Sequence, residues 1–174
     1  MAEPKSEDAL IAWIRDHSAR RGDDVLIGIG DDMAMVRPDP AGLLVTSDML
    51  MDGVDFDSAR HSPEAIGRKA LAVSLSDCAA MAVRPRFAMV SVALPNQWSM
   101  NLATQLFTGI SKLAEQFDCR IIGGDTNSWD NPLVIDVTVL AEPWRIEKQK
   151  DGGGTDSLAP VRRDGMKAGD LLIV

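Results

Sequence analysis

Met33-Ala34-Met35-Val36-Arg37-Pro38-Asp39-Pro40-Ala41-Gly42-Leu43-Leu44-Val45-Thr46-Ser47 sets two short apolar runs, residues 33–36 and 43–47, on either side of a Pro-Asp-Pro turn. Proline fixes φ and removes an N–H donor, and aspartate bonds its own nearby backbone, so the middle of this stretch turns the chain. Strands joined in this way read as hairpin neighbours. The other strands of the chain alternate with helices, so a hairpin among them predicts an α+β fold, a mixed β-sheet with packed helices.

Upstream, Ser6 with Glu7 and Asp8 is a helix start, followed by the apolar positions Leu10, Ile11 and Ile14. Residues 25–29 read as a strand entering the glycine-bracketed turn Gly28-Ile29-Gly30-Asp31-Asp32. Downstream, Ser62 caps a helix that carries Pro63 at its first position and Glu64 in its first turn, and that runs to about residue 81. Its interior is apolar nearly all round, which predicts packing on several sides; Asp77 is the one charge in residues 70–81. Residues 87–94 form a strand closed by Pro95, and Ser99 caps a helix whose Leu102, Leu106, Ile110, Leu113 and Phe117 make a core stripe. A strand over residues 120–122 runs into Gly123-Gly124-Asp125-Thr126, read as a turn, and residues 133–140 alternate as a strand buried on one side. The sheet so predicted has roughly six strands. Composition divides the chain into a domain over residues 1–143 and a flexible connection over residues 144–174, which ends in an apolar run expected to begin a further domain.

The 174 residues, 45% hydrophobic and 25% charged, suit an ordinary globular domain. Acidic residues outnumber basic ones 26 to 18, a formal charge of -8, which argues against nucleic acid or an anionic membrane as partner. No apolar run approaches the roughly 18 to 20 residues of a membrane span. Cys78 and Cys119 stand apart without a CxxC pair and read as reduced core thiols, which fits the cytoplasm.

Chemistry is suggested by acids at strand ends: Asp31-Asp32, Thr46-Ser47-Asp48 with Asp52 and Asp55 beyond, and Asp125, together with Asp77 in the helix. Each cluster alone also reads as turn chemistry, and Asp77 as an internally bonded aspartate. If several converge, their repulsion demands cations, and oxygen ligands without histidine or thiolate select magnesium or calcium. Gly28, Gly30, Gly123 and Gly124 allow backbone to approach phosphate, or serve plain turns. There is no GxxxxGK[ST] and no GxGxxG, and His17 and His61 lie at a helix end and before a helix cap, so a P-loop, a Rossmann site and a histidine-based site are unsupported.

Four stretches also resemble a family in order and spacing. Gly28-Ile29-Gly30-Asp31-Asp32, Thr46-Ser47-Asp48-Met49-Leu50, Gly67-Arg68-Lys69-Ala70-Leu71-Ala72-Val73-Ser74-Leu75-Ser76-Asp77-Cys78-Ala79-Ala80-Met81 and Gly123-Gly124-Asp125-Thr126 look like thiamine-monophosphate kinase, of the aminoimidazole ribonucleotide synthetase superfamily. The resemblance implies an amino-terminal half that dimerises through its sheet, completed by a carboxy-terminal half, and inactive alone. It implies ATP and thiamine monophosphate as substrates, several Mg2+ ions, and direct in-line transfer with no side-chain acid or base. Carried over by position, Asp32, Thr46, Ser47, Asp48, Asp77 and Asp125 ligate the metals, Gly124 and Asp125 border ATP, and Arg163 approaches the nucleotide. Asp55 stands where the family has a substrate-contacting histidine, and Asn127 and Ser128 replace its threonine and arginine. Two other readings stay open: a superfamily relative such as selenophosphate synthetase or the hydrogenase-maturation dehydratase, and a non-catalytic dimerisation domain whose acids are solvated turns.

Overall fold

The computed structural model describes residues 7–18, 23–29, 33–147 and 155–171. In chain order the elements are α1 (Glu7–His17), β1 (Val25–Ile27), β2 (Met35–Val36), β3 (Leu44–Met51), α2 (Pro63–Ala80), β4 (Val83–Pro95), α3 (Met100–Gln116), β5 (Arg120–Trp129), β6 (Val134–Pro143), β7 (Arg145–Glu147) and β8 (Thr155–Ser157). The main sheet runs β3-β6-β4-β5, with β4 and β5 parallel and the other neighbours antiparallel. It is the mixed sheet of an α+β fold, though with four strands and not six; the remaining described strands form the two-stranded ribbons β1-β2 and β7-β8.

The opening stretch turns where its prolines require, but its two strands do not pair with each other. β2 joins β1 through Val25 and Val36, while β3 lies along β6 over all eight of its residues, from Leu44 against Ala141 to Met51 against Val134. A two-residue strand cannot satisfy the backbone donors and acceptors of an eight-residue one, and β6 offers a full-length partner. Short-range pattern sees the turn; the choice of partner is a long-range matter.

Helices α2 and α3 cover one face of the sheet. Both start as their caps predict, Ser62 accepting from Ala65 N at 3.2 Å and Ser99 from Leu102 N at 3.4 Å. Ile66, Leu71, Leu106, Ile110 and Leu113 pack with Ile135, Val137 and Val139 in the core, each at most 2% exposed. Two expectations fail here. Phe117 ends outside α3, half exposed, because the helix stops at Gln116. The α2 interior is not packed all round: Ala72, Ser76, Asp77 and Ala79 are exposed, and alanine and serine give no sign of which side faces water.

Where α2 crosses α3, Gly67 and Gly109 let the backbones meet: a Cβ at either position would lie 2.0 Å from a carbonyl oxygen of the other helix, that of Leu106 or Glu64. Gly123-Gly124 is likewise no turn. β5 continues through it, Ile122 being the extra residue of an irregularity against β4, and a Cβ on Gly124 would fall 1.8 Å from Val90 O. Glycine is needed there for close strand approach, as in a bulge.

Beyond β6, the β7-β8 ribbon is tied back by Leu158 N to Trp144 O and by Val161 N to Met81 O, both 2.8 Å. The glycine-rich residues 148–154 and most of the final apolar run lie outside the described residues; Leu171, its first member, is exposed and not in a strand.

Candidate metal and nucleotide site

Alternation on β3 and helical spacing on α2 build one corner of the site. Thr46 and Asp48, two apart on a strand, point to the same face. Ser74 and Asp77, three apart on a helix, do likewise. The pairs interlock: Thr46 Oγ1 donates to Asp77 Oδ2 at 2.5 Å, and Ser74 Oγ donates to Asp48 Oδ2 at 2.7 Å. Each carboxylate is thus oriented by a hydroxyl from the facing element, with its Oδ1 accepting nothing among the described residues. Asp77 is exposed, so its charge carries little desolvation cost although the helix around it is apolar in sequence.

Asp125 lies elsewhere. Cross-strand pairs place Asp48, Val137, Val90 and Gly124 in one row, and Met49, Asp136, Ser91 and Asp125 in the next, which faces away from α2 and α3. β3 and β5 are the two edges of the sheet, separated by β6 and β4, about 14 Å between strand axes. Magnesium–oxygen bonds are about 2.1 Å long, so Asp48 and Asp125 do not share one ion in this arrangement. Among the described residues no three His, Cys, Asp or Glu side chains converge in metal-binding fashion. Gly124, Asp125 and Thr126 instead form the polar end of a cavity of about 900 Å³ with Ile11, Ile14 and Ile121 among its apolar walls. Its size falls within the range of small-ligand sites.

The other candidates divide. Asp32 lies outside the described residues. Ser47 turns to the outward face, its hydroxyl near Asp136 Oδ1 at 3.1 Å and Thr138 Oγ1 at 2.8 Å. Asp55 closes a turn, Oδ2 accepting from Met51 N at 2.8 Å while its carbonyl accepts from Lys69 Nζ. Arg163 is exposed in a turn after β8. Two further residues join these places without a local sign of it: Ser74, set in a run of small residues, and Asp136, on the polar side of β6; the three- and two-residue spacings to Asp77 and Thr138 are the available signals. Both thiols are buried and titrate high: burial, then the Asp77 charge, pushes Cys78 up to about 11, and burial, with Cys78 and Asp118 nearby, pushes Cys119 to about 12.

A mixed four-stranded sheet with two helices on one face and carboxylates at its edges defines a class, and residues 30–142 match the family model described as AIR synthase related protein, N-terminal domain. The chain belongs to that family. It is 37% identical over 157 residues to the thiamine-monophosphate kinase of Rhodopirellula baltica, covering 84% of this chain and 49% of the relative. The crystal structure of thiamine-monophosphate kinase from Stenotrophomonas maltophilia K279a superposes with a TM-score of 0.67 at 40% identity, over 78% of this chain and 42% of that one. AaThiL complexed with AMPPCP and TMP gives a TM-score of 0.57 at 28% identity, over 82% and 44%. The chain therefore spans about half the length of these relatives or less.

Proposed function

We propose that this chain is the amino-terminal, metal- and nucleotide-binding half of a kinase that transfers a phosphoryl group from ATP to thiamine monophosphate. The observation that carries the reading is the interlocked corner, where Thr46 and Ser74 orient Asp77 and Asp48 and leave one oxygen of each carboxylate uncommitted. All donors there are oxygens, the set that magnesium prefers. Asp48 and Asp77 would hold Mg2+ at this corner, with Thr46 and the main chain at Ser47 beside them; Asp125 and Asp32 would hold further ions. Bound magnesium would neutralise the negative charge of the triphosphate.

The remaining work is positioning. Gly124 and Asp125 would border ATP in the cavity beside β5, and Arg163 would approach the nucleotide. Asp55 occupies the substrate histidine position, and its bond to Met51 N suits a turn-forming role better than phosphate contact. The outward sheet face, with Val45 64% and Met49 61% exposed, supports a homodimer formed there. Phosphoryl transfer needs no side-chain acid or base in this reading, only placement and charge neutralisation. A cytoplasmic setting suits the free buried thiols.

The test is turnover in a form extended to the length of the relatives, followed as ADP release with thiamine monophosphate as acceptor. Asp48→Asn and Asp77→Asn should each abolish it, and ATP binding by calorimetry should require Mg2+. Unchanged turnover in either variant removes that residue from the site, and a better acceptor than thiamine monophosphate overturns the substrate assignment. Ultracentrifugation showing a clean monomer at micromolar concentration would remove the dimer.

A further inference from the structure

A notch of about 480 Å³ opens between the Pro38–Pro40 turn, the start of β4 and the end of β6. It shares no residue with the Thr46–Asp77 corner or with the cavity at Gly124. Its charged lining is Arg37, Arg84, Arg86 and Arg145 against Asp24, Asp39 and Glu142, a local positive excess in a chain of formal charge -8.

The acids are fully used. Asp24 takes Arg86 and Arg120; Asp39 takes Arg145 on one oxygen and Ala41 N on the other at 2.7 Å. Glu142 takes Asp39 N at 2.9 Å on one oxygen and Arg86 Nη1 at 3.1 Å on the other. The donors are not used up. Arg37 has no side-chain partner among the described residues, Arg84 reaches out of the notch to Asp118, and Arg86 Nε is buried without an acceptor. The acids of the cluster are matched, and guanidinium donors remain in surplus over them. Trp144, half exposed, and Pro143 supply an apolar wall beside those donors.

We infer that this notch binds a small phosphate-bearing anion, gripped by Arg37 with Arg145 beside it at the rim. Guanidinium groups match phosphate oxygens bidentately, and the ion pairs beneath hold the frame. The inference is independent of the kinase reading, because it needs neither magnesium nor the aspartates of that site.

Inorganic phosphate titrated into the 174-residue chain with EDTA present, followed by calorimetry and tryptophan fluorescence, tests it. Saturable binding is expected, with a fluorescence change that Trp144→Phe removes while the calorimetric signal stays. Arg37→Ala should weaken binding about tenfold or more, and its side chain has no partner whose loss would unfold the chain. Equal affinity in Arg37→Ala, heats that never saturate, or the same response to chloride at matched ionic strength would each overturn the site and leave the cluster as a frame of ion pairs only.

Discussion

Replacing Gly109 by alanine sets two effects of opposite sign against each other. In an open helix the change would stabilise, since alanine is about 0.8–1.0 kcal/mol better than glycine in a helix interior. Here the new Cβ would lie 2.0 Å from Glu64 O, 2.8 Å from Glu64 C and 3.0 Å from Arg68 N, all backbone atoms of α2 that no rotamer change can move aside. Relief requires the two helices to part by about an ångström, and both rest on the same sheet face. Overpacking in a close-packed core costs about 1–3 kcal/mol, with a contact between two backbones at the upper end. The net expectation is destabilisation by about 1–2 kcal/mol, a fall in Tm of roughly 2–8 °C for a chain of this size. Thermal and urea unfolding followed by circular dichroism reads it directly, with an unchanged m value if the unfolded state is unaffected. Gly67→Ala meets Leu106 O at the same 2.0 Å, so the double variant should cost less than the two single costs added, because the first Cβ has already separated the helices. A Gly109→Ala chain as stable as the parent, or more so, would refute the close crossing.

The buried hydroxyl of Ser74 donates to Asp48 and lies 3.0 Å from Val137 O, so Ser74→Ala leaves both without it and should cost about 1–3 kcal/mol in urea unfolding, with Ser74→Thr recovering part. Asp24 titrates low: burial by itself raises its carboxyl, but hydrogen bonds and charge from Arg120, its own backbone N–H and the Arg86 charge outweigh that. A depressed folded-state pKa contributes stability that is present above the unfolded value of about 3.9 and lost as pH falls through the folded one. Tm measured from pH 6 to pH 3 should therefore fall more steeply in the parent than in Asp24→Asn, and parallel curves would count against the ion cluster. Cys78 and Cys119, raised to about 11 and 12 by burial, should not react with a disulfide reagent at pH 8 until the chain is unfolded, and fast labelling of the native chain would contradict their burial.

Features written in a few adjacent residues were legible in the sequence. Ser62 and Ser99 mark helix starts because a capping hydroxyl acts on a backbone N–H three residues away. The alternation of residues 133–140 marks β6 because a strand between helices and an open face must alternate. Thr46, Asp48 and Asp77 stood out by residue type, and the structure brings the three together with Ser74.

Only the tertiary structure decided what those elements do together. It gave β3 to β6 in place of β2, through a full-length ladder formed across more than eighty residues of chain. It turned Gly123-Gly124 from a turn into a strand pressed on Val90, and Gly67 and Gly109 into a helix crossing; glycine records that something approaches, and never what. It set Asp48 and Asp125 on opposite edges of the sheet, so the acids that look alike in sequence form two separate places. The sequence by itself determined the elements and their caps, because those depend on neighbours along the chain. Pairing, faces and the sharing of Asp24 by Arg86 and Arg120 depend on residues brought together from far apart, and no local pattern encodes that choice.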